Sequence, residues 1–432
     1  MIYMQTFHYS KIKRVLQSAL QTRYYRNLFH ENNIDIANIM DYESFRKIPL
    51  TTKEIYRENK YDFIIDSIRN KLDVDLLQKN ENNFQIYDAI LNECGLNMVI
   101  TSGSTGVPLE VIHSNSDDHR NYYALNRYRL KNSNVNLTGK YIWLLPMNEK
   151  TKQKFYSSEC NFLKEKTGIQ YFLTNYSDYN LSQLHKIIEA EKPTWMTGSP
   201  TAVAIYAKFL FDRNLSHSFQ YIELHSEPCL EWQKEIIKRT FGDVFQCVYS
   251  SNEINFIAAT QSCGHYHIIE DNVFVELIET QNRRSKKVII TALNSFDVPM
   301  IRYDIGDLAQ EIECDKMETL SLKLTGYRDS DLIMRYDGTL CEPYIIYDSI
   351  YFLNKEYGLD IKIYQVKQIS IDRFEYHIKE PAIKYDKIKY EVYLEEFLKF
   401  SLKTDITVEI KEFTLQTLLE NKKYMRFSSM RQ

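Results

Sequence analysis

One six-residue turn concentrates the chemistry of its neighbourhood. In VITSGSTGVPLEVIHS (99–114), Thr101, Ser102, Ser104 and Thr105 surround Gly103 and Gly106, in a chain with only 12 glycines among 432 residues. Glycine lets a backbone approach a ligand closely, and successive N–H groups in such a turn form an anion-binding nest. The hydroxyls add donors with little bulk. The chemistry offered is phosphate cradling; the plainer reading is a polar hairpin loop. A Walker P-loop is excluded, because the G-x-x-x-x-G-K-[ST] spacing and its lysine are missing.

Other reactive types follow along the chain. Glu253 closes VYSSNE (248–253), a carboxylate at a strand end and suited to a hard cation. Asp307 follows Gly306 in PMIRYDIGDLA (299–309), where a carboxylate can accept two hydroxyls. Arg302 and Asp304 flank it, and the plain reading of the two is a pair with each other. Arg328 and Asp331 lie in LTGYRDSDLI (324–333), and Lys422 and Lys423 in LLENKKYMRFSS (418–429). The plain reading of those two lysines is a solvated basic tail. His113, His225 and Cys247 invite a Cys/His nucleophile, but their spacing gives it no support.

The elements that must position these groups can be read from periodicity. Residues 8–95 are helix-patterned, with Ile12, Val15, Leu16 and Leu20 on one face. Thr51 or Thr52 caps a helix in KIPLTTKEIYREN (47–59). Residues 96–114 read as strand, turn, strand, with a helix over about 116–130. Strand and helix then alternate: strands at 140–146, 193–200, 221–227 and 243–251, helices at 181–192, 201–212 and 229–242. That alternation predicts an α/β layered domain with a largely parallel sheet. From 266 onward short strands suggest hairpins or a small barrel, and Asp337-Gly338 marks a hairpin turn. Residues 343–432 suffice for a small α+β domain. HSEP (225–228) and Trp195, Met196 and Gly198 are candidate walls of a ligand pocket.

Whole-chain composition narrows the classes. Lys+Arg number 54 against 58 Asp+Glu, a net charge of −4, and no basic stripe with interleaved aromatics occurs, so nucleic acid is not the expected partner. No apolar run of 18 residues predicts a membrane span. MIYMQTFHYSKIKRVL (1–16) lacks the apolar core and cleavage site of a secretory signal. Seven scattered cysteines fit a reducing compartment, so the expected location is the cytoplasm. The 33 tyrosines read as fillers of half-buried faces.

Taken in order, four stretches carry a resemblance. TSGSTGVP resembles the [ST]-S-G-[ST]-T-G-x-P signature of adenylate-forming (acyl-activating) enzymes, which join a carboxylic acid to AMP. VYSSNE resembles that family's Y-G-x-[ST]-E motif, with Ser250 in place of Gly. PMIRYDIGDLA resembles P-x-I-R-Y-x-x-G-D, and LTGYRDSDLI the G-R-x-x-D hinge motif, with Tyr327 between Gly326 and Arg328. IPLTTKEIYREN and CGHYHIIEDNVFVELIE before VIITAL narrow the likeness to phenylacetate–coenzyme A ligases and their capsule-biosynthesis relatives.

The resemblance implies a large N-terminal adenylation domain (1–326), with layered α/β sheets and a β-rich subdomain, and a small mobile C-terminal α+β domain (327–432). It implies ATP and Mg²⁺, with the triphosphate held by Ser102, Gly103, Ser104, Thr105 and Gly106. Glu253 would hold Mg²⁺ and Asp307 the ribose, with Tyr249 stacking on adenine beside Ser251 and Asn252. Arg328 would belong to the hinge motif, with the pivot at Ser330 or Asp331. Lys423, or Lys422 beside it, would meet the reacting carboxylate and α-phosphate; no preceding glycine marks it. Thr105, Glu253, Arg328 and Lys423 are thus the expected catalytic set. A structural zinc would draw on Cys263, His267, Cys314 and His265, although the branch's second downstream cysteine is replaced by Asp315 and Lys316. The implied partners are a small carboxylic acid and a thiol acceptor, coenzyme A or carrier-protein pantetheine. An amine or hydroxyl acceptor, AMP transfer to a non-carboxylate acceptor, and a catalytically impaired nucleotide-binding relative remain open, as does a homodimer.

Overall fold

The computed structural model describes residues 9–80, 83–100, 109–147, 152, 161–280, 285–314, 320–328, 331–379, 386–413 and 427–430. They form two compact units, 1–133 with 248–325, and 134–247 with 326–432.

The first unit begins with short helices, as the 3.6-residue pattern predicts. In Tyr9–Ala19 the buried face is Ile12, Val15, Leu16 and Ala19. Leu20 is exposed instead, because the helix stops one residue before it and Ala19 takes the last inward position. Thr52, not Thr51, caps Lys53–Asn59 by accepting from the Ile55 N–H. Thr51 is buried and bridges in parallel to Tyr303, its N–H donating to the Arg302 carbonyl and its carbonyl accepting from Asp304.

The expected strand–turn–strand is an antiparallel hairpin, Leu96–Ile100 with Glu110–Ser114, in the register Ile100↔Glu110. Ser114 ends it and caps the helix Asn115–Asn132, its hydroxyl accepting from the N–H groups of Ser116 and Asp117. The later strands of this unit pair antiparallel. Val273–Ile278, Lys286–Ala292 and Tyr303–Ile312 lie in succession, followed by Ser321–Arg328, Tyr266–Ile268, Asn255–Thr260 and the end of Phe245–Ser251. These are hairpins of an open sheet. Within the stretch 299–309 the strand begins at Tyr303, after Arg302, whose φ of 47° breaks extended backbone.

The second unit opens with a parallel sheet. Phe245–Cys247, Tyr221–Leu224, Trp195–Gly198, Tyr141–Pro146 and Gly168–Leu173 are neighbours, with Phe162–Lys164 antiparallel at the edge. Trp195–Gly198 and Tyr221–Leu224 are buried throughout, which is why their sequences are apolar runs rather than alternations. Helices Asp178–Glu191, Pro200–Asp212 and Glu231–Phe241 connect the strands. Ser199 caps the second, and Gly242, at φ 86°, closes the third.

Residues 333–427 contribute a core of their own, built by Tyr344–Tyr357, Lys387–Leu402 and a four-stranded sheet. Asp337-Gly338 turns the small hairpin Ile333–Met334 with Leu340–Cys341, Gly338 at φ 78°. No described helix is long and apolar enough to cross a membrane.

Candidate functional site

In the first unit, the strand Phe245–Ser251 delivers Tyr249 to Asp307. The phenol donates to Asp307 Oδ2 at 2.8 Å, and Tyr249 is only 8% exposed. Two sequence-predicted site residues 58 positions apart are thereby joined. Asp307 is aimed by the preceding turn, where Gly306 takes φ +81°, a conformation side chains rarely adopt. The Gly306 N–H donates to Asp304 Oδ1 at 2.9 Å, while Lys287 Nζ lies 3.2 Å from Asp304 Oδ2.

The Arg302–Asp304 pair does not form. Arg302 turns to Glu276, Nε donating at 2.9 Å to Oε2 and Nη2 at 3.0 Å to Oε1, and also donates to the carbonyls of Arg46 and Ile48. Both side chains of that pair are buried, so a guanidinium's fixed fork is satisfied by a carboxylate and two carbonyls. Asp304 takes Lys287 instead, because its strand places it beside the lysine's.

Glu253 stands just beyond the strand end, its side chain 5% exposed. Among the described residues both of its contacts fall on Oε1: the Tyr303 phenol donates to it at 3.2 Å, and Lys53 Nζ lies 4.0 Å away. Lys53 also comes within 4.0 Å of where a Cβ on Gly306 would stand. It is the first residue of the helix capped by Thr52, and Tyr56 one turn on accepts from the Ile112 N–H at 3.0 Å. Sequence reasoning missed Lys53 and Tyr303. The hint available was a lysine at the first position of a Thr-capped helix, inside a stretch already singled out.

The turn that carries Glu253 is held on both sides. Ser251 Oγ accepts from the Ile254 N–H at 3.1 Å, and Asn252 Nδ2 donates to the Ile100 carbonyl at 3.3 Å. The Asn252 carbonyl faces His113 Nε2 at 2.6 Å, and His113 Nδ1 faces Asp118 Oδ1 at 3.0 Å. Burial opposes the charge on His113, yet the Asp118 carboxylate and Asn252 carbonyl hold its pKa above the ordinary imidazole value. Burial likewise disfavours a charged Asp118, but His113, Asn97 and Asn255 hold it below the usual carboxylate range. The two directions agree on an ion pair. His113 is therefore no nucleophile's base.

Residues 101–108, and with them Thr101, Ser102, Gly103, Ser104, Thr105 and Gly106, lie outside the described residues, as do Lys422, Lys423, Ser330, Asp315 and Lys316. The hairpin strands Leu96–Ile100 and Glu110–Ser114 on either side of 101–108 are described.

A second cluster in the same unit brings together Cys263, His267 and Cys314, whose ligand atoms all lie within 4.8 Å of one another. Cys263 Sγ is 3.0 Å from His267 Nε2, and the other ring nitrogen lies 3.1 Å from Ser321 Oγ, which fixes the ring. Burial and the neighbouring Cys314 push the Cys263 thiol up. His265 stands outside this triplet; its buried Nδ1 has no hydrogen-bond partner among the described residues.

In the second unit, the Arg328 N–H donates to Asp331 Oδ2 at 2.6 Å, and Asp331 is fully buried. Of the candidate pocket walls, Trp195 is core: it packs with Val135 and Tyr221 at the start of its strand, the end opposite to where parallel sheets take ligands. Thr197 lies toward the other end, with its hydroxyl 2.9 Å from His225 Nε2, and Ser226 Oγ meets His225 Nδ1 at 2.7 Å. Cys247 and Cys229 are free thiols in hydrogen-bond contact, and that contact with burial pushes the Cys229 thiol up.

No protein-family model matches this chain, and no curated protein sequence matches it. Solved structures do. A 2-hydroxyisobutyryl-CoA ligase in its postadenylation state, in complex with R3-HIB-AMP, matches with a TM-score of 0.62 at 14% identity, over 94% of this chain and 85% of that one. The AtGH3.15 acyl acid amido synthetase in complex with 2,4-DB matches at 0.57 and 13% identity, over 93% and 85%. ATP-bound MatB from Rhodopseudomonas palustris matches at 0.50 and 14% identity, over 73% and 64%. The chain has the fold of these adenylate-forming enzymes.

Proposed function

We propose that this protein is an ATP-dependent adenylate-forming ligase: a carboxylate attacks the α-phosphate of ATP, pyrophosphate leaves, and the acyl-adenylate passes its acyl group to an acceptor. The observation that carries the reading is the pairing of Tyr249 with Asp307 beside the Glu253–Lys53–Tyr303 group. Two motif stretches, 248–253 and 299–309, meet together with Lys53 within one unit of a chain that has the adenylate-forming fold.

Each residue then has a task. Asp307, already accepting from Tyr249, offers a carboxylate to the ribose hydroxyls, and the Tyr249 ring offers a face for adenine. Ser102, Gly103, Ser104, Thr105 and Gly106 would grip the phosphates. Lys53 brings a cation beside Glu253 and Gly306, where phosphate charge needs neutralising. Lys423 or Lys422 would meet the α-phosphate as the bond forms, with a hinge at Ser330–Asp331 and a domain boundary at 326/327.

Magnesium fits the donor set: one carboxylate oriented through Oε1 suits an ion that otherwise keeps waters and phosphate oxygens. Glu253 would hold it, and when bound it neutralises the departing pyrophosphate. Zinc fits three donors, Cys263, His267 and Cys314, with His265 or a residue outside the described set as fourth. It would be structural, tying the strand at 266–268 to the segment ending at 314.

The acceptor is assigned to a thiol, coenzyme A or a carrier pantetheine; an amine acceptor is the second reading, favoured by the likeness to an acyl acid amido synthetase. The test is pyrophosphate release from ATP across a panel of acids, followed by mass detection of products with coenzyme A or with amino acids added. Release that depends on an acid and is lost in Glu253→Ala is expected. ATP binding without stimulation by any acid would overturn the ligase reading.

A further inference from the structure

We propose that His113 is a positioning residue that clamps the Asn252–Glu253 turn to the hairpin carrying residues 101–108, an inference that rests on the adenylating reading above. The ring lies on the strand Glu110–Ser114, 7% exposed, and both nitrogens face acceptors: Asp118 Oδ1 at 3.0 Å and the Asn252 carbonyl at 2.6 Å. A neutral imidazole has one N–H and one lone pair, so it would turn that lone pair on one of these oxygens. Only the doubly protonated ring donates to both.

Asp118 extends the clamp past Glu253. Its Oδ1 accepts from Asn255 Nδ2 at 3.1 Å and its Oδ2 from Asn97 Nδ2 at 3.1 Å. Asn255 sits at φ 69°, the left-handed conformation that asparagine tolerates in turns. The residues before and after Glu253 are thus tied to one charged pair, Asn252 through its carbonyl and Asn255 through its side chain. The Asn252 amide meanwhile reaches Ile100, the last residue before 101–108.

The consequence is a mechanical link between two parts of the nucleotide site. The turn carrying the carboxylate at 253 and the strand ending at Ile100 share one hydrogen-bonded frame, whose members include Ile100, His113, Asp118, Asn252 and Asn255. A histidine serving the core alone would end its bonds on core groups. Here one bond ends on the residue preceding the proposed magnesium ligand.

The experiment uses the full chain with His113→Phe, which keeps bulk and removes both donors, and His113→Gln, whose amide reaches the place of Nε2. Acid-dependent pyrophosphate release is titrated with Mg²⁺ at fixed ATP, and amide exchange is followed in peptides covering 96–100 and 249–256. His113→Phe should raise the half-saturating Mg²⁺ roughly 10- to 100-fold, with a smaller change in kcat, as loss of an outer-shell orienting group does. Exchange should rise in both peptides, and His113→Gln should recover most of both effects. Unchanged exchange and unchanged Mg²⁺ dependence in His113→Phe would overturn the clamp while leaving the ligase reading intact. A wild-type chain with no acid-dependent release overturns the ligase reading, and the exchange data then decide the clamp alone. If His113→Phe does not fold, His113→Asn replaces it, since its shorter amide faces Asp118 and not Asn252; parity of Asn with Gln sinks the proposal.

Discussion

The Glu253 turn and the Cys263–His267–Cys314 cluster sit in one unit and are both proposed to receive a metal, yet they are built in opposite ways. Around Glu253 the protein supplies its own counter-groups: a phenol on Oε1, an ammonium at 4.0 Å, and an ion pair bracing the turn from behind. The turn is organised before any ligand arrives. The sulfur cluster gathers two thiols and an imidazole within 4.8 Å of one another, with the Ser321 hydroxyl 3.1 Å from the other ring nitrogen. A preorganised site lets a cation come and go with nucleotide, whereas a cluster of mutually facing donors is completed only by its ion.

That contrast is sharpest under chelation. Stripping zinc should lower Tm by at least about 5 °C, the scale expected for losing a few kcal/mol from a unit of this size. Removing magnesium should leave the Tm of the nucleotide-free protein unchanged. Elemental analysis should find about one zinc per chain, and Cys263→Ser with Cys314→Ser should lose it. A protein containing no zinc, whose Tm ignores chelators, would erase the distinction.

A smaller effect tests the preorganised side. Lys53→Met should slow acid-dependent pyrophosphate release on the order of 10- to 100-fold, comparable to removing one preorganised donor or orienting group. Tm should fall less than activity does, since the two groups are 4.0 Å apart and Glu253 keeps the Tyr303 phenol. Melting and steady-state kinetics on the same preparation separate these outcomes: a large fall in Tm with normal kinetics would make Lys53 a structural residue.

How legible this was depended on distance along the chain. The hairpin at 96–114, the helix after it and the alternating strands of the second unit follow local pattern, and local pattern survives folding. Tyr249 and Asp307 could be singled out because each lies in a recognisable motif, and the structure brings them together. Arg302 lay in the same motif as Asp307, yet its partner Glu276 was not readable: the contact depends on the register that sets Glu276 opposite Ile289 and Ile289 opposite Asp304. Trp195 looked like a pocket wall because strand direction relative to the ligand end is a property of the sheet, not of the tetrapeptide. Lys53 was missed, and His113 was named without its partners, for the same reason: each meets a turn well over a hundred residues away.

The smallest expected effect is also the most direct reading of how the turn is braced. His113 has a raised pKa in the folded chain, so its contribution to stability is fully present below the unfolded value of about 6.5 and is lost as pH rises through the folded value. Asp118 has a lowered one, so its contribution is present above about 3.9 and is lost as pH falls through its folded value. The charged groups acting on the ring are Asp118 in contact and Asp117 beside it, both in the first turn of the helix Asn115–Asn132. Wild type should therefore exceed His113→Gln in Tm by its widest margin between about pH 4 and 6.5, and the margin should shrink steadily on the alkaline side. The amide's own hydrogen bond does not titrate, so the pH dependence of the difference belongs to the imidazolium. A margin that stays flat from pH 5 to 9 would mean a neutral ring. One of its two contacts would then be made without a proton, and the brace behind Glu253 would rest on Asn252 and Asn255 alone.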